Sequence, residues 1–131
     1  MSDKEVFLPL ITPFNDAGRV CRDSVARLMR FARPNVDGFV PCLTSGEGWL
    51  LSDAQWHDMV RLCVEFADGL PVIAGIERAT TDAVIERAHV AQQLGAPVCV
   101  HGDGSLRDVG PVRRVGDDVD ARWVAQQAVG Q

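Results

Sequence analysis

Short apolar runs alternate with amphipathic segments along residues 6–100, and this alternation limits the fold more than any other feature. Within each run the apolar residues stand at consecutive positions, which indicates strands buried on both faces of a parallel sheet. The runs are Val6–Ile11, Gly38–Cys42, Pro71–Gly75 and Pro97–Val100. They recur about every 30 residues, as in consecutive βαβ units. The pattern predicts an α/β fold, and both an open doubly wound sheet and part of a (β/α)8 barrel fit it.

The segments between these runs have helical periodicity and recognisable ends. The predicted capping residues are Asp23 for the first helix, Ser52 with Gln55 as a capping box for the second, and Thr80, Thr81 or Asp82 for the third, which Gly95 ends. Positions three and four apart form the predicted buried faces: Val25, Leu28, Met29 and Ala32; Trp56, Val60, Cys63 and Ala67; Val84, Ile85, Ala88, Ala91 and Leu94. We interpret Trp49, like Trp56, as a packing residue.

Charge and composition argue against several classes of partner. The chain of 131 residues has a net charge of -5, and its content of 47% apolar and 24% charged residues is typical of one folded domain. Nucleic acids and anionic membranes select basic surfaces, so neither is expected as a partner. The N-terminus is charged and no apolar run reaches ~18 residues, which predicts no signal peptide, no membrane span and a cytoplasmic location.

The cysteines and glycines give no sign of a metal or a cofactor. The four cysteines, Cys21, Cys42, Cys63 and Cys99, form no C-x-x-C pair, so we interpret them as buried or half-buried thiols. Neither G-x-G-x-x-G nor G-x-x-x-x-G-K occurs, which argues against a dinucleotide or nucleotide site. We therefore expect no cofactor and no metal.

The candidate binding residues follow the second apolar run. Thr44 and Ser45 are adjacent hydroxyl residues, Gly46 comes next, and a helix start follows at Ser52. Hydroxyls and free backbone N–H groups at the end of a strand can hold a small anion, such as the carboxylate of a keto acid. Taken by themselves, however, these two residues fit a turn or capping pair with no ligand better.

Residues 101–131 differ in character from the residues before them. Gly, Asp, Arg and Val dominate, and Leu106 is the only large aliphatic residue besides valine. We predict one helix within residues 117–129 and otherwise an irregular, divergent tail. An out-of-frame reading of GC-rich DNA tends to give this amino-acid composition, although a polar linker has a similar one. The sequence thus predicts two regions, a folded unit over 1–100 and a tail over 101–131.

Five segments of the chain match the motifs of a known family in the same order and spacing. They are Leu10–Phe14, Val36–Val40, Thr44–Glu47 with Leu51–Ser52, Pro71–Gly75, and Thr80–Gly95. Together they resemble the dihydrodipicolinate synthase / N-acetylneuraminate lyase family, pyruvate-type class I aldolases built on a (β/α)8 barrel. Since a complete barrel takes ~250 residues, the resemblance implies a partial (β/α)8 TIM barrel of about four βα units.

The resemblance also implies an activity and a substrate class. Members of the family join a lysine to a 2-oxo acid such as pyruvate as a Schiff base, and a tyrosine relays protons. Thr44 and Ser45 would bind the substrate carboxylate, and Glu47 would order the loop. The single lysine, Lys4, precedes the first strand and the chain has no tyrosine, so no catalytic residue is assigned.

One residue inside the matching motif departs from the family pattern. Leu43 stands where the family usually has glycine, directly before the hydroxyl pair. A side chain at this position crowds the loop or shifts its backbone. We therefore expect a narrower pocket or one suited to another substrate.

Three functions fit the sequence. The first is a truncated aldolase-family chain that is inactive alone. The second is a half-barrel that binds a small carboxylate or forms a homo-oligomer, because a partial barrel leaves two strand edges open. The third, an unrelated doubly wound binding domain, is disfavoured by the few large aliphatic residues in 101–131. A half-barrel leaves core surface in water at about 25 cal/mol per Å², so we expect marginal stability unless the chain oligomerises.

Overall fold

The computed structural model describes residues 5–96 and 98–100, which contain four strands and three α-helices in strict alternation. The elements are β1 Phe7–Pro9, α1 Arg22–Ala32, β2 Gly38–Val40, α2 Asp53–Phe66, β3 Ile73–Gly75, α3 Thr81–Leu94 and β4 Val98–Val100. Short 3-10 turns cover Arg33–Asn35, Thr44–Gly46 and Gly48–Leu50. The tail over 101–131 and its predicted helix lie outside the described residues.

The four strands are parallel and stand side by side in chain order. β1 pairs with β2, with Phe7 opposite Gly38, and β3 pairs with β4, with Ile73 opposite Val98. A parallel bridge between Phe39 and Val72 joins the two pairs. A doubly wound sheet reverses its strand order at a switch point, and no such reversal occurs among the described strands. The order is that of a (β/α)8 barrel segment.

All three helices cover the same face of this sheet. Phe39 of β2 and Ala74 of β3 belong to the large buried cluster that includes the apolar faces of α1, α2 and α3. Val40 and Ile73, which alternate with them along the strands, belong to a separate small cluster on the other face. The helix-free face of a curved parallel sheet is the one that becomes the interior of a barrel.

The strands are shorter than the apolar runs predicted. Each spans three residues, although the Leu10 N–H still donates to the Val40 carbonyl at 3.1 Å and the Gly75 N–H to the Pro41 carbonyl at 2.9 Å. Pro41 and Pro71 have no N–H to give to a ladder, and both lie just outside the regular strands, although their carbonyls still accept from Gly75 and Phe39. Whether the chain has four complete βα units stays a prediction, because a fourth helix would lie outside the described residues.

Two of the three predicted helix starts are confirmed. The Ser52 hydroxyl accepts from the Gln55 N–H at 3.1 Å while the Gln55 side chain accepts from the Ser52 N–H at 2.9 Å, so the capping box of α2 is complete. Thr80 caps α3 through the Ala83 N–H at 3.2 Å. The prediction for Asp23 was wrong: Cys21 is the N-cap of α1, with no side-chain cap bond, and Asp23 lies in the first turn.

The buried faces follow the predicted periodicity. The predicted residues that are fully buried are Val25, Met29, Ala32, Trp56, Val60, Cys63, Ala67, Val84, Ala88 and Ala91. The other three, Leu28, Ile85 and Leu94, are partly buried and pack against the same cluster. Gly95 ends α3 in the left-handed conformation at φ 100, and its N–H donates to the Ala91 and Gln92 carbonyls, as a helix-ending glycine does. In the described part of the chain, no helix combines the length and apolar character needed to cross a bilayer.

Candidate functional site

The loop between β2 and α2 lies at the carboxyl ends of the strands and is held by its own backbone. The Leu43 carbonyl accepts two hydrogen bonds, from the Gly46 and Gly48 N–H groups, each at 3.0 Å. The Glu47 N–H donates to the Thr44 carbonyl at 3.0 Å, and Glu47 itself turns through the left-handed region at φ 55. Two consecutive 3-10 turns result, which the sequence patterns did not predict. These backbone bonds hold the loop in a compact conformation.

The Cys42 carbonyl is enclosed by two glycines that are distant in sequence. A Cβ on Gly48 would lie 1.8 Å from this oxygen, and a Cβ on Gly75 would lie 2.3 Å from it. Cys42 itself has a φ of 65, a region that non-glycine residues rarely adopt. Only glycine fits at positions 48 and 75, because the obstructing atom belongs to the backbone and cannot rotate away. This enclosure joins the β2–α2 loop to the end of β3.

A side-chain bond joins the same loop to the end of β1. The Thr12 hydroxyl donates to the Gly46 carbonyl at 2.6 Å, and a Cβ on Gly46 would lie 2.7 Å from the Leu10 carbonyl. Thr12 lies in the β1–α1 connection, inside one of the segments that matched the family motifs. The loop is thus fixed from both neighbouring strands, as a rigid binding loop requires.

Thr44 and Ser45 project from this framework into solvent. Both residues are exposed, and within residues 5–96 their hydroxyls form no hydrogen bond with the protein. Their backbone N–H groups likewise donate to no backbone acceptor in this part of the chain. The segment therefore presents two hydroxyls and two N–H donors at the carboxyl ends of the strands. Such a set of donors is suited to a small carboxylate.

A buried arginine lies behind the loop, and the sequence analysis missed it. The Arg87 side chain on α3 is 5% exposed, and its guanidinium carbon stands 5.0 Å from the centre of the Trp56 ring. Asp53 accepts from Arg87 at 3.4 Å and also pairs with Arg78 at 3.6 Å. The Trp56 indole N–H donates to the Gly75 carbonyl at 2.8 Å. The Arg87 Nε atom has no partner among the described residues.

The periodicity contained a signal for this arginine. Position 87 falls three residues after Val84 and four before Ala91, so it lies on the buried stripe of α3. Burial lowers the pKa of the Arg87 guanidinium, and the nearby Arg78 lowers it further, while Asp53 acts in the opposite direction. Stacking on the Trp56 ring offsets part of this unfavourable burial.

The buried thiols near the loop are structural. Burial raises the pKa of the Cys42 thiol to about 12, and the Arg87 charge lowers it only in part. Burial also raises the pKa of Cys63, and Cys42 adds to the effect. A thiol that stays protonated at neutral pH is a poor nucleophile. The prediction of buried or half-buried thiols is confirmed for Cys21, Cys42 and Cys63, which are all free.

The other predicted residues have mixed outcomes. Trp56 is buried at 2% exposure, but Trp49 is 57% exposed, so the interpretation of Trp49 as a packing residue was wrong. Within residues 5–96 and 98–100, no group of His, Cys, Asp and Glu side chains has the geometry to hold a metal ion. Lys4 lies outside the described residues.

Comparison with known proteins identifies the family. The family model described as the dihydrodipicolinate synthetase family matches residues 2–101. The chain belongs to the dihydrodipicolinate synthetase family. The resemblance carried by the five sequence segments is thereby confirmed.

Two curated relatives that resemble this chain have the same name. The 4-hydroxy-tetrahydrodipicolinate synthase of Maridesulfovibrio salexigens is 35% identical over 98 residues, which are 73% of this chain and 33% of the relative. The enzyme of the same name from Thermomicrobium roseum is 42% identical over 95 residues, 69% of this chain and 30% of the relative. The chain thus spans about a third of the length of these relatives.

Solved structures of family members share the fold. The 4-hydroxy-tetrahydrodipicolinate synthase of Methylacidiphilum fumariolicum SolV superposes with a TM-score of 0.70 at 25% identity, over 76% of this chain and 34% of that one. YagE, a prophage protein of the family from E. coli K12 solved in complex with pyruvate, has the same TM-score, identity and coverage. The described residues therefore form part of the TIM barrel of the dihydrodipicolinate synthetase family.

Proposed function

We propose that Thr44 and Ser45 bind the carboxylate of a 2-oxo acid such as pyruvate, and that this chain carries the carboxylate-binding part of a class I aldolase/lyase site. The observation that supports it best is the rigid loop after β2, which presents two unpaired hydroxyls and two unpaired N–H groups at the carboxyl ends of the strands. In barrels of this kind, active sites stand at that end. The pyruvate complex of YagE adds support for the substrate class.

The loop geometry explains how the two residues would act together. The Gly46 and Gly48 N–H groups are occupied by the Leu43 carbonyl, so they do not compete for the ligand. The Thr12 hydroxyl holds the Gly46 carbonyl at 2.6 Å, which keeps that acceptor from facing an incoming anion. Hydrogen bonds to a charged acceptor each contribute about 1.5–3 kcal/mol. Two hydroxyls and two N–H groups on adjacent residues therefore supply enough donors to bind a small carboxylate.

Replacing the two hydroxyls should remove binding. We expect the double variant Thr44→Ala/Ser45→Ala to bind pyruvate at least tenfold more weakly, on the order of the loss of one charge-assisted hydrogen bond. Titration of the full chain followed by ligand-observed NMR measures this change. Thr81→Ala is a matched control, because Thr81 is an exposed threonine at the start of α3 and is not part of the β2–α2 loop. If the wild type and the double variant bind pyruvate with equal affinity, Thr44 and Ser45 do not bind its carboxylate.

We further propose that these 131 residues bind the 2-oxo acid without turning it over. A Schiff base needs a lysine amine as the electron sink, and the single lysine, Lys4, precedes β1, whereas Thr44 and Ser45 follow β2. The amino and carboxyl ends of parallel strands lie at opposite ends of the sheet. We therefore expect no increase in mass after incubation with pyruvate and borohydride, as read by mass spectrometry of the intact chain. A reduced adduct on Lys4 would overturn this proposal.

A second candidate function is self-assembly into a closed sheet. Among the described strands, β1 and β4 each pair on one side only. Apolar residues near β1 are exposed, Val6 at 53% and Ile11 at 59%. Unpaired strand edges favour association. Light scattering distinguishes the two candidates, since a compact dimer supports assembly whereas a monomer that binds pyruvate supports the binding role alone.

A further inference from the structure

Leu43 has a fixed position directly before the hydroxyl pair. Its carbonyl accepts from both the Gly46 and the Gly48 N–H groups, at 3.0 Å each. Its backbone nitrogen lies 2.9 Å from the place where a Cβ on Gly75 would stand, so β3 leaves it no room to move toward that strand. The side chain is therefore held in place by a backbone that has little freedom.

The Leu43 side chain lies on the helix-free face of the sheet. It is half-buried and packs against the small cluster of Val40 and Ile73, together with Phe7. Val40 and Ile73 are at most 1% exposed, so the half-buried side chains of Leu43 and Phe7, which pack against them, are the accessible part of this cluster. The helices pack against the opposite face through Phe39 and Ala74. Leu43 is thus on the side that faces the interior of a barrel, next to Thr44.

We infer that Leu43 limits the size of the 2-oxo acid that this site accepts. The inference rests on the proposed function. With the carboxylate on Thr44 and Ser45, the carbon chain of the acid extends over the apolar face, where the Leu43 isobutyl group occupies space beside Val40 and Ile73. A three-carbon acid such as pyruvate fits beside the leucine, whereas an acid branched at its third carbon must displace it. One extra methylene in an apolar pocket changes selectivity by about 10–200-fold.

The test compares the affinities of two acids in the full chain. Dissociation constants for pyruvate and for 2-oxo-3-methylbutanoate are measured by ligand-observed NMR in the wild type, Leu43→Ala and Leu50→Ala. We expect the wild type to prefer pyruvate at least tenfold, and Leu43→Ala to reduce that preference by about tenfold while pyruvate affinity changes little. Leu50 is the matched control, because it is a leucine of the same loop that is 60% exposed.

The outcomes separate this inference from the proposed function. If pyruvate binds through Thr44 and Ser45 but Leu43→Ala leaves the ratio of the two affinities unchanged, the inference is wrong and the proposed function stands. If the wild type binds neither acid, both are wrong. If Leu43→Ala does not fold, the same two affinities are measured in Leu43→Val, which keeps an apolar side chain on the cluster. It should shift the ratio in the same direction by a smaller factor, and an unchanged ratio in it overturns the inference equally.

Discussion

Gly48→Ala is expected to lower the free energy of unfolding by about 3 kcal/mol, at the upper end of the usual cost of overpacking. The added Cβ would stand 1.8 Å from the Cys42 carbonyl oxygen and 2.6 Å from its carbon. These are backbone atoms of a residue already held at φ 65, so no side-chain rotation relieves the contact. Urea unfolding followed by circular dichroism measures the change. The same variant should lose pyruvate binding, because the loop must open to admit the methyl group.

Gly69→Ala is the matched control for this variant. Gly69 has a φ of 85 and nothing within 4 Å of an added Cβ, so alanine meets backbone strain there but no steric obstruction. The expected loss is about 1–2 kcal/mol, the cost of placing an L-residue in the left-handed region. A Gly48 variant no less stable than the Gly69 variant would mean that the Cys42 carbonyl is not confined as described.

Trp56→Ala is expected to cost about 3–5 kcal/mol, as do other replacements of buried aromatic residues by alanine. The ring is 2% exposed, supports the Arg87 guanidinium and donates its indole N–H to the Gly75 carbonyl at 2.8 Å. Its removal leaves a cavity, an unpaired buried carbonyl and an uncovered buried charge. Chemical unfolding followed by circular dichroism is the appropriate measurement, since the substitution alters the fluorescence.

Trp49→Ala provides the comparison for Trp56→Ala. Trp49 is 57% exposed, and truncation there should change stability by less than about 1 kcal/mol. Trp56→Phe keeps an aromatic ring but removes the indole N–H bond to the Gly75 carbonyl together with part of the ring volume, so its loss of stability should lie between those of the Trp49 and Trp56 alanine variants. If Trp49→Ala and Trp56→Ala lower the free energy of unfolding equally, Trp56 is not the more buried of the two residues.

Features that depend on neighbours in sequence were predictable. The capping box of Ser52 and Gln55, the cap at Thr80 and the left-handed Gly95 each involve residues within one or two turns of a helix, and all three are confirmed. The buried stripe of α2, including Trp56 and Cys63, follows from a period of 3.6 residues alone. These predictions succeed because the contacts that decide them join residues that are close to one another in the sequence.

Features decided by distant contacts were not predictable in the same way. Asp23 is of a residue type that often caps helices, yet the N-cap is Cys21, two residues earlier, and Asp23 lies within the first turn. Tryptophan is a large apolar residue and is often buried, but Trp49 lies in the second 3-10 turn of the β2–α2 loop and its side chain is exposed to solvent. The enclosure of the Cys42 carbonyl depends on Gly75, a residue of another strand. No short-range pattern contains that contact.

The position of the two candidate binding residues in the fold was predictable from the sequence, but their surroundings were not. The sequence placed Thr44 and Ser45 after a strand and before a helix, and the structure brings them to the carboxyl ends of the strands as exposed residues. Their role in binding stays a prediction. The choice of barrel over doubly wound sheet needed the spatial order of the strands, which periodicity does not encode. The packing of Leu43 on the helix-free face likewise required the fold.

The enclosure of the Cys42 carbonyl has a consequence for how this chain diverges over evolutionary time. Gly48 and Gly75 contact one oxygen from opposite segments, so a lineage that loses either glycine has already displaced the carbonyl. The reason to retain the other glycine then disappears. The two positions should be inherited as a pair, whereas residue 43 meets this enclosure only through its backbone nitrogen, so a change of its side chain does not remove the constraint on either glycine. New ligand preferences in descendants of this chain would therefore arise first by exchange at Leu43, with the loop itself passed on intact.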